Sequence, residues 1–576
     1  MKHVRCLRAV AAALALCVLL TACGNSSGQP VSGKPVVPAA MSMTLAQDKY
    51  GIWPTREFEI ATPESQGIDS EVILDAMQNC VDKDKMIDGL LILRHGKLVH
   101  ESYRSPYTKD APHEMYSVTK SVLSALVGIA MQEGYIQSVD QKVIEFFPGI
   151  VLPEDAAYKK DMTVRHLLTM TSGIRGDDRW DEFENAEDVG EAIFLLSQKK
   201  KPGEAFKYDS IATHLLGCVV AKAVNRNLFD YAKEKLFGPL GMESVSWWAD
   251  NQGNNFGGFG ISMTPRDMLR FGYLYLNNGR WEDKQILSAD WVAATPPTTD
   301  GRGAYGFLFW NNSKELPENF EANGAYGQHI IIFPKLDMVV AITADGSMNS
   351  KQIYRIFNEG VSAAPLPENP DAQAKLAGLT ASIGEEAYPP AAEVLAKAVP
   401  NSEVTVDFNT LVEQKKKDET LTYSVTEQGL KLNAQGETCG LATKEEYAFP
   451  LMVTMRARSE SDEISPFIGF QKGYAQIVNY PEESFNFIDV SDFTKKDRLL
   501  TYTGKGDVPV GQTFELKWIL AEDFEAVFVN GELRAYTTKA PYLAASSSAK
   551  SKRGPLLFST GYDCELLIES IVISSL

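Results

Sequence analysis

Tyr116-Ser117-Val118-Thr119-Lys120-Ser121, continuing as an apolar run from Val122 to Met131, is the stretch whose reading decides the fold. The spacing predicts a helix from Ser117 to Gln132, closed by Gly134. A serine in the first turn of a helix lies near unsatisfied N–H groups and the positive end of the helix dipole. A lysine three residues later lies one turn on, on the same face, so its amine reaches the hydroxyl. Partial desolvation would lower the lysine pKa toward that of a working base. Ser117 then reads as a nucleophile and Lys120 as its partner. Alone, the tetrapeptide also fits a helix N-cap followed by a solvated lysine. Ser197/Lys200 and Ser547/Lys550 share the spacing, but the first precedes the basic run Lys199-Lys200-Lys201 and the second lies in a polar serine cluster.

Outward from this helix, the pattern between about Ile52 and Ala364 mixes helices with short strands. Leu90 to Glu101 reads as a β-hairpin turning at His95-Gly96. Helices are expected at Thr163–Met170, Ile211–Ala223, Pro265–Leu276 and Lys351–Glu359. Paired strands are expected at Ile330–Pro334 and Met338–Ile342, joined by Lys335-Leu336-Asp337. The proline cluster from Ala363 to Pro370 marks a domain boundary. A connector covers 365–402. From 403 to 576 alternating runs such as Phe514–Leu520 and Ala526–Glu532, with a turn at Asn530-Gly531, predict a β-sandwich.

The ordered segments resemble the serine β-lactamase and penicillin-binding protein family, in its class C-like branch, which includes esterases, D-aminopeptidases and 6-aminohexanoate-oligomer hydrolases. The resemblance covers most of residues 65 to 345. It rests on the hairpin at 90–101, Tyr116 to Ser121, Thr163 to Gly173, Pro202 to Ser210, Phe259 to Asp267 and Gly324-Ala325-Tyr326-Gly327-Gln328. It implies an α/β domain at 51–364, an antiparallel sheet flanked by helices with a helical subdomain. It implies acyl transfer to Ser117, with Lys120 as partner and Tyr208 as the tyrosine that shuttles a proton to the leaving group. Such a tyrosine needs a nearby cation to depress its pKa, and Lys120 is the natural one. Asn323-Gly324-Ala325 matches the family's strand motif, so Asn323 is expected at the substrate and the N–H of Ala325 in the oxyanion hole with that of Ser117. Two departures stand out. Ser210 occupies the place of an asparagine, and the strand motif has neutral Asn323 where a lysine or histidine holds a carboxylate. Both favour an ester or amide over a penicillin. The rival reading is a non-catalytic envelope protein that binds peptidoglycan or glycan.

At 576 residues the chain is too long for one core. A net charge of −19 argues against nucleic acid and against attraction to an anionic membrane surface. Lys2, Arg5 and Arg8, the apolar run from Ala9 to Leu20, and Leu20-Thr21-Ala22-Cys23 resemble a bacterial lipoprotein signal at 1–22, with lipid on Cys23. Residues 23–50 then form a flexible tether, and the protein is expected outside the cytoplasm, lipid-anchored to a membrane. The seven histidines show no ligand spacing, so no metal and no cofactor is expected. Asp177 to Glu182 with Trp180 reads as a loop near the cleft. Cys439 and Cys564 either pair or stay as buried thiols. The C-terminal segment loosely resembles concanavalin-like (laminin G-like) jelly rolls, through Phe514 to Tyr536. Such domains bind glycans or serve as scaffolds, and both roles stay open.

Overall fold

The computed structural model describes residues 49–538 and 553–576, apart from 83–86, 106, 177–178, 180–181, 184–185, 199, 251, 298–303, 313, 345–349, 385–388, 416–418, 436–438, 460–463, 471–472, 481–484, 493–497, 502–507, 509 and 561–563. The lipoprotein signal with Cys23, and Trp180, lie outside the described residues. No helix among those described is long and apolar enough to cross a membrane. The chain divides into two compact units between residues 385 and 386.

The first unit is built on a seven-stranded antiparallel sheet. Its strands are β1 (Gly89–Arg94), β2 (Lys97–Tyr103), β3 (Ala304–Tyr305), β4 (Trp310–Asn311), β5 (Phe320–Gly324), β6 (Gln328–Phe333) and β7 (Met338–Thr343), in the order β2-β1-β7-β6-β5-β4-β3. Leu90 to Leu93, Ile330 to Phe333 and Met338 to Ile342 are buried throughout. Continuous apolar runs of this length are what a sheet covered on both faces requires. The β1–β2 turn holds His95 at φ 50° and Gly96 at φ 78°, and Asp337 at φ 50° closes β6–β7.

Helices cover both faces. Helices α1 (Ser70–Asp82), α5 (Ser350–Glu359) and α6 (Pro370–Gly384) pack Ile73, Met77, Ile353, Ile356, Leu376 and Ile383 against Ile331, Phe333, Val340 and Ile342. On the other face α4 (Pro265–Leu276) approaches closely because Gly272 has no side chain; a Cβ there would lie 2.5 Å from Val339 Cγ1 and 2.8 Å from Ile330 Cγ2. Helix α2 (Val118–Gln132) is buried from Val118 to Ala130, on every side and not merely on one stripe, and it takes Thr119, Lys120, Ser121 and Ser124 inside with it. Helix α3 (Ser210–Val224) is likewise largely buried. The expected helix at Thr163–Met170 is shorter, Val164–Leu168 with Thr163 as its cap.

The proline cluster does not end the first unit. Leu376 and Ile383 of α6 join its core, and Ile383 O accepts from Ser105 N at 2.9 Å. The helix Ala391–Lys397 instead packs Val394 with Ile519 and Phe524 of the second unit. The stretch read as a connector is therefore divided between two cores. Beyond that helix and a short 3-10 turn at Phe408–Thr410, the regular structure described in the second unit is β. Its two large antiparallel sheets have Leu566–Ser575 with Leu451–Ser459 in one and Leu556–Thr560 with Pro466–Phe470 in the other. Both sheets supply one core, including Val453, Leu516, Trp518, Ile468 and Phe558. Cys439 and Cys564 are buried and are not joined in a disulfide.

Candidate active site

Ser117 caps α2 at its N-terminus, but its side chain makes no capping hydrogen bond. The hydroxyl is engaged by Lys120 Nζ, 3.0 Å from Ser117 Oγ. Lys120 is fully buried, and so is not the solvated lysine that a plain N-cap sequence would give. Its Nζ also lies 3.0 Å from Ser210 Oγ and 2.7 Å from the carbonyl oxygen of Gly258. A buried amine is costly unless hydrogen-bonded, and these oxygens meet that cost.

Tyr208 reaches the same place from a different segment. Its ring centroid is 4.7 Å from Lys120 Nζ. Asp209, the N-cap of α3, fixes this turn: its Oδ1 accepts from Ala212 N at 2.9 Å and its Oδ2 from Gly176 N at 2.7 Å. The cap places Tyr208 just before the helix and Ser210 at its first position, so one turn delivers two groups to Lys120. The structure thus brings together Ser117, Lys120 and Tyr208.

Strand β5 arrives beside the segment that carries Ser117. A Cβ on Gly324 would stand 2.4 Å from Met115 O, two residues before Ser117, so glycine is required for the approach. Ala325 follows in the tight turn to β6, next to Tyr326 at φ 62°. Tyr116, at φ 46°, packs its ring 5.0 Å from that of Tyr326. Left-handed tyrosines are uncommon and strained, and here they flank the two residues expected to supply the oxyanion donors.

Asn323 is a correction. Ala322 pairs with Ile330, and Gly324 with Gln328; Ile330 faces α4 and Gly324 faces Met115. The pleat therefore turns Asn323 to the opposite face, where it pairs with His329. Its Nδ2 donates to Glu321 Oε1 at 3.1 Å, and Glu321 Oε2 is 3.4 Å from His329 Nδ1. Asn323 does not carry its side chain to Ser117.

Sequence reasoning missed Gly258 and Ser210 as partners of Lys120. It also missed the aromatic wall beside Tyr208. Trp310 stacks on Tyr208 at 5.7 Å and 23°, and Tyr305 meets it edge-on at 6.0 Å. Burial and the neighbouring Tyr208 push the Tyr305 hydroxyl well above the usual phenol range. The pairing of Tyr305 with Trp310 across β3–β4 was the available signal, in a hairpin too short to read. No cluster that could hold a metal ion occurs among the described residues.

Residues 77–355 match the family model described as Beta-lactamase. The 6-aminohexanoate-dimer hydrolase of Paenarthrobacter ureafaciens is 25% identical over 280 residues, 44% of this chain and 71% of the relative. Penicillin-binding protein 4 of Amycolatopsis lactamdurans is 23% identical over 316 residues, 47% and 82% of the two chains. Among solved structures, a beta-lactamase/D-alanine carboxypeptidase from Pseudomonas syringae aligns with 51% of this chain and 99% of its own, at 17% identity and a TM-score of 0.41.

Proposed function

Since residues 77–355 are a beta-lactamase family domain and the chain is a serine hydrolase, we propose that it cleaves an ester or amide through an acyl-enzyme on Ser117. The surroundings of Lys120 Nζ carry this reading. The Gly258 carbonyl can only accept, at 2.7 Å, and Ser210 Oγ accepts at 3.0 Å. The same amine donates to Ser117 Oγ at 3.0 Å, so it stands where it can take up the hydroxyl proton once it has released one of its own. That is the geometry of a nucleophile and its base.

Attack by Ser117 Oγ on the carbonyl carbon puts negative charge on oxygen, held by the backbone N–H groups of Ser117 and Ala325. Tyr208 passes a proton to the departing heteroatom, and water then cleaves the acyl-enzyme by the reverse proton path. Ala322 and Gly324 face the helices, and neither offers a cation to a substrate carboxylate. This supports an uncharged ester or amide rather than a penicillin. The Leu20-Thr21-Ala22-Cys23 motif supports a lipid anchor and action at the cell envelope.

Fluorophosphonate labelling of the full chain, beside Ser117→Ala, tests the nucleophile. A panel of short-chain esters, D-amino-acid amides and nitrocefin tests the substrate class. The expected result is a Ser117-dependent adduct with turnover of esters or amides. Absence of the adduct would favour the non-catalytic envelope binder.

A further inference from the structure

We propose that Phe206, Tyr208, Tyr305 and Trp310 form a subsite for an aromatic ring on the substrate's departing alcohol or amine, an inference resting on the reading of Ser117, Lys120 and Tyr208 above. The four rings make one cluster. Tyr305 lies edge-on to Trp310 at 4.6 Å and 73°. Phe206 sits edge-on to Tyr305 at 5.5 Å and to Trp310 at 6.3 Å. Tyr208 lies between Trp310 and the amine of Lys120. At the outer end Phe206 is 48% exposed. A ring cluster that runs from a proton-handling phenol to solvent is unfinished packing, and a further ring fits it in the edge-to-face or offset geometry that aromatic pairs prefer.

The departing side is assigned by the chemistry of Tyr208. The group that receives its proton is the heteroatom that leaves, so the departing fragment lies against Tyr208 and its neighbouring rings. The acyl side stays with Ser117 and the end of β5. The subsite is also held in place before substrate arrives. Ser121, one turn after Ser117, donates its hydroxyl to Leu308 O at 2.7 Å. Leu308 N donates to Leu168 O at 3.0 Å, inside the loop that joins Tyr305 to Trp310. On the other side Lys207 N donates to Met170 O at 2.8 Å, fixing the backbone between Phe206 and Tyr208. Pre-ordering of this kind lowers the entropic cost of seating a ligand.

The test compares benzyl acetate, ethyl acetate and ethyl phenylacetate as substrates of the full chain, with rates normalised to alkaline hydrolysis. Benzyl acetate should show kcat/KM about tenfold or more above ethyl acetate, in keeping with one aromatic contact. Ethyl phenylacetate should gain less. Phe206→Ala and Trp310→Leu should each shrink the benzyl-to-ethyl ratio toward one, and benzyl alcohol should inhibit the wild-type chain more strongly than either variant. Phe206→Ala, at an exposed position, guards against loss of the fold. Equal rates for the two acetates, or a preference that follows the acyl ring, overturns the subsite. Fluorophosphonate labelling separates the two failures. A labelled Ser117 without ring preference removes the subsite alone, whereas an unlabelled, inactive chain removes the underlying mechanism and the subsite with it.

Discussion

Lys120 is the residue on which the site converges, and its partners come from far along the chain. Ser117 was legible from spacing, because three residues in a helix is one turn. Ser210 and Gly258 were not, because no local pattern tells that the cap of α3 and the loop before residue 261 close over the same amine. Ser210 stands where the family has an asparagine, yet its hydroxyl still accepts from Lys120 at 3.0 Å. Ser210→Ala removes one of the groups orienting the amine. A hydrogen bond to a charged or charging group is worth about 1.5–3 kcal/mol, so kcat should fall about tenfold to a hundredfold. Steady-state kinetics on the best ester of the panel checks this, with Ser210→Asn expected to recover part of the loss. Tyr208→Phe should cost more, about 10² to 10⁴ in kcat, because it deletes the proton carrier itself; the pH–rate profile should lose its corresponding limb.

Among elements, the hairpin at β1–β2, the helices α2, α3 and α4, and the strands β6 and β7 were readable because apolar periodicity and turn residues agree there. The side of a strand was not. Asn323 and Ala322 differ by one residue, and in a pleated strand one residue is the whole difference between the two faces. Only the register with β6 decides it. The connector was misread for a related reason: prolines at 365, 367 and 370 punctuate the chain, but Leu376 and Ile383 bury α6 in the first unit regardless. Strand β5 meets the nucleophile segment with no spare room at Gly324. Gly324→Val should force Met115 and the strand apart, destabilising by about 1–3 kcal/mol as overpacking does. It should lower kcat more than it raises KM, because the two oxyanion donors are separated. Thermal unfolding and ester kinetics on the same preparation give both readouts.

For the molecule as a whole, each unit should answer pH in its own way. In the first unit burial lowers His100 to about 4 and His113 to about 3. An unfolded chain protonates both near pH 6.5, while the fold keeps them neutral. As pH falls below about 6.5 the unfolded state therefore gains protons that the native state refuses, and stability drops by about 1.4 kcal/mol per pH unit for each histidine. In the second unit burial raises Glu525 to about 8, although Trp518 Nε1 donates to its Oε1 at 2.8 Å. There the native state keeps a proton that the unfolded chain has lost, so stability is full below about pH 4.5 and drains away as pH climbs toward 8. Calorimetry at pH 5 and pH 8 should show one transition moving up and the other down. Glu525→Gln, neutral at every pH, should raise the second unit's transition at pH 8 and flatten its pH dependence; an unchanged transition would contradict the buried carboxyl.

The tie between Ser121 and Leu308 has a consequence for how such a molecule diversifies. One helix carries Ser117 as its N-cap and, four residues on, anchors through Ser121 the short hairpin that bears Tyr305 and Trp310. Exchanging the rings on that hairpin leaves this anchor in place, because the anchor runs through the main chain of Leu308. A change of ring at Tyr305 or Trp310 therefore alters the side chains presented beside Tyr208 while the hairpin stays moored to the helix.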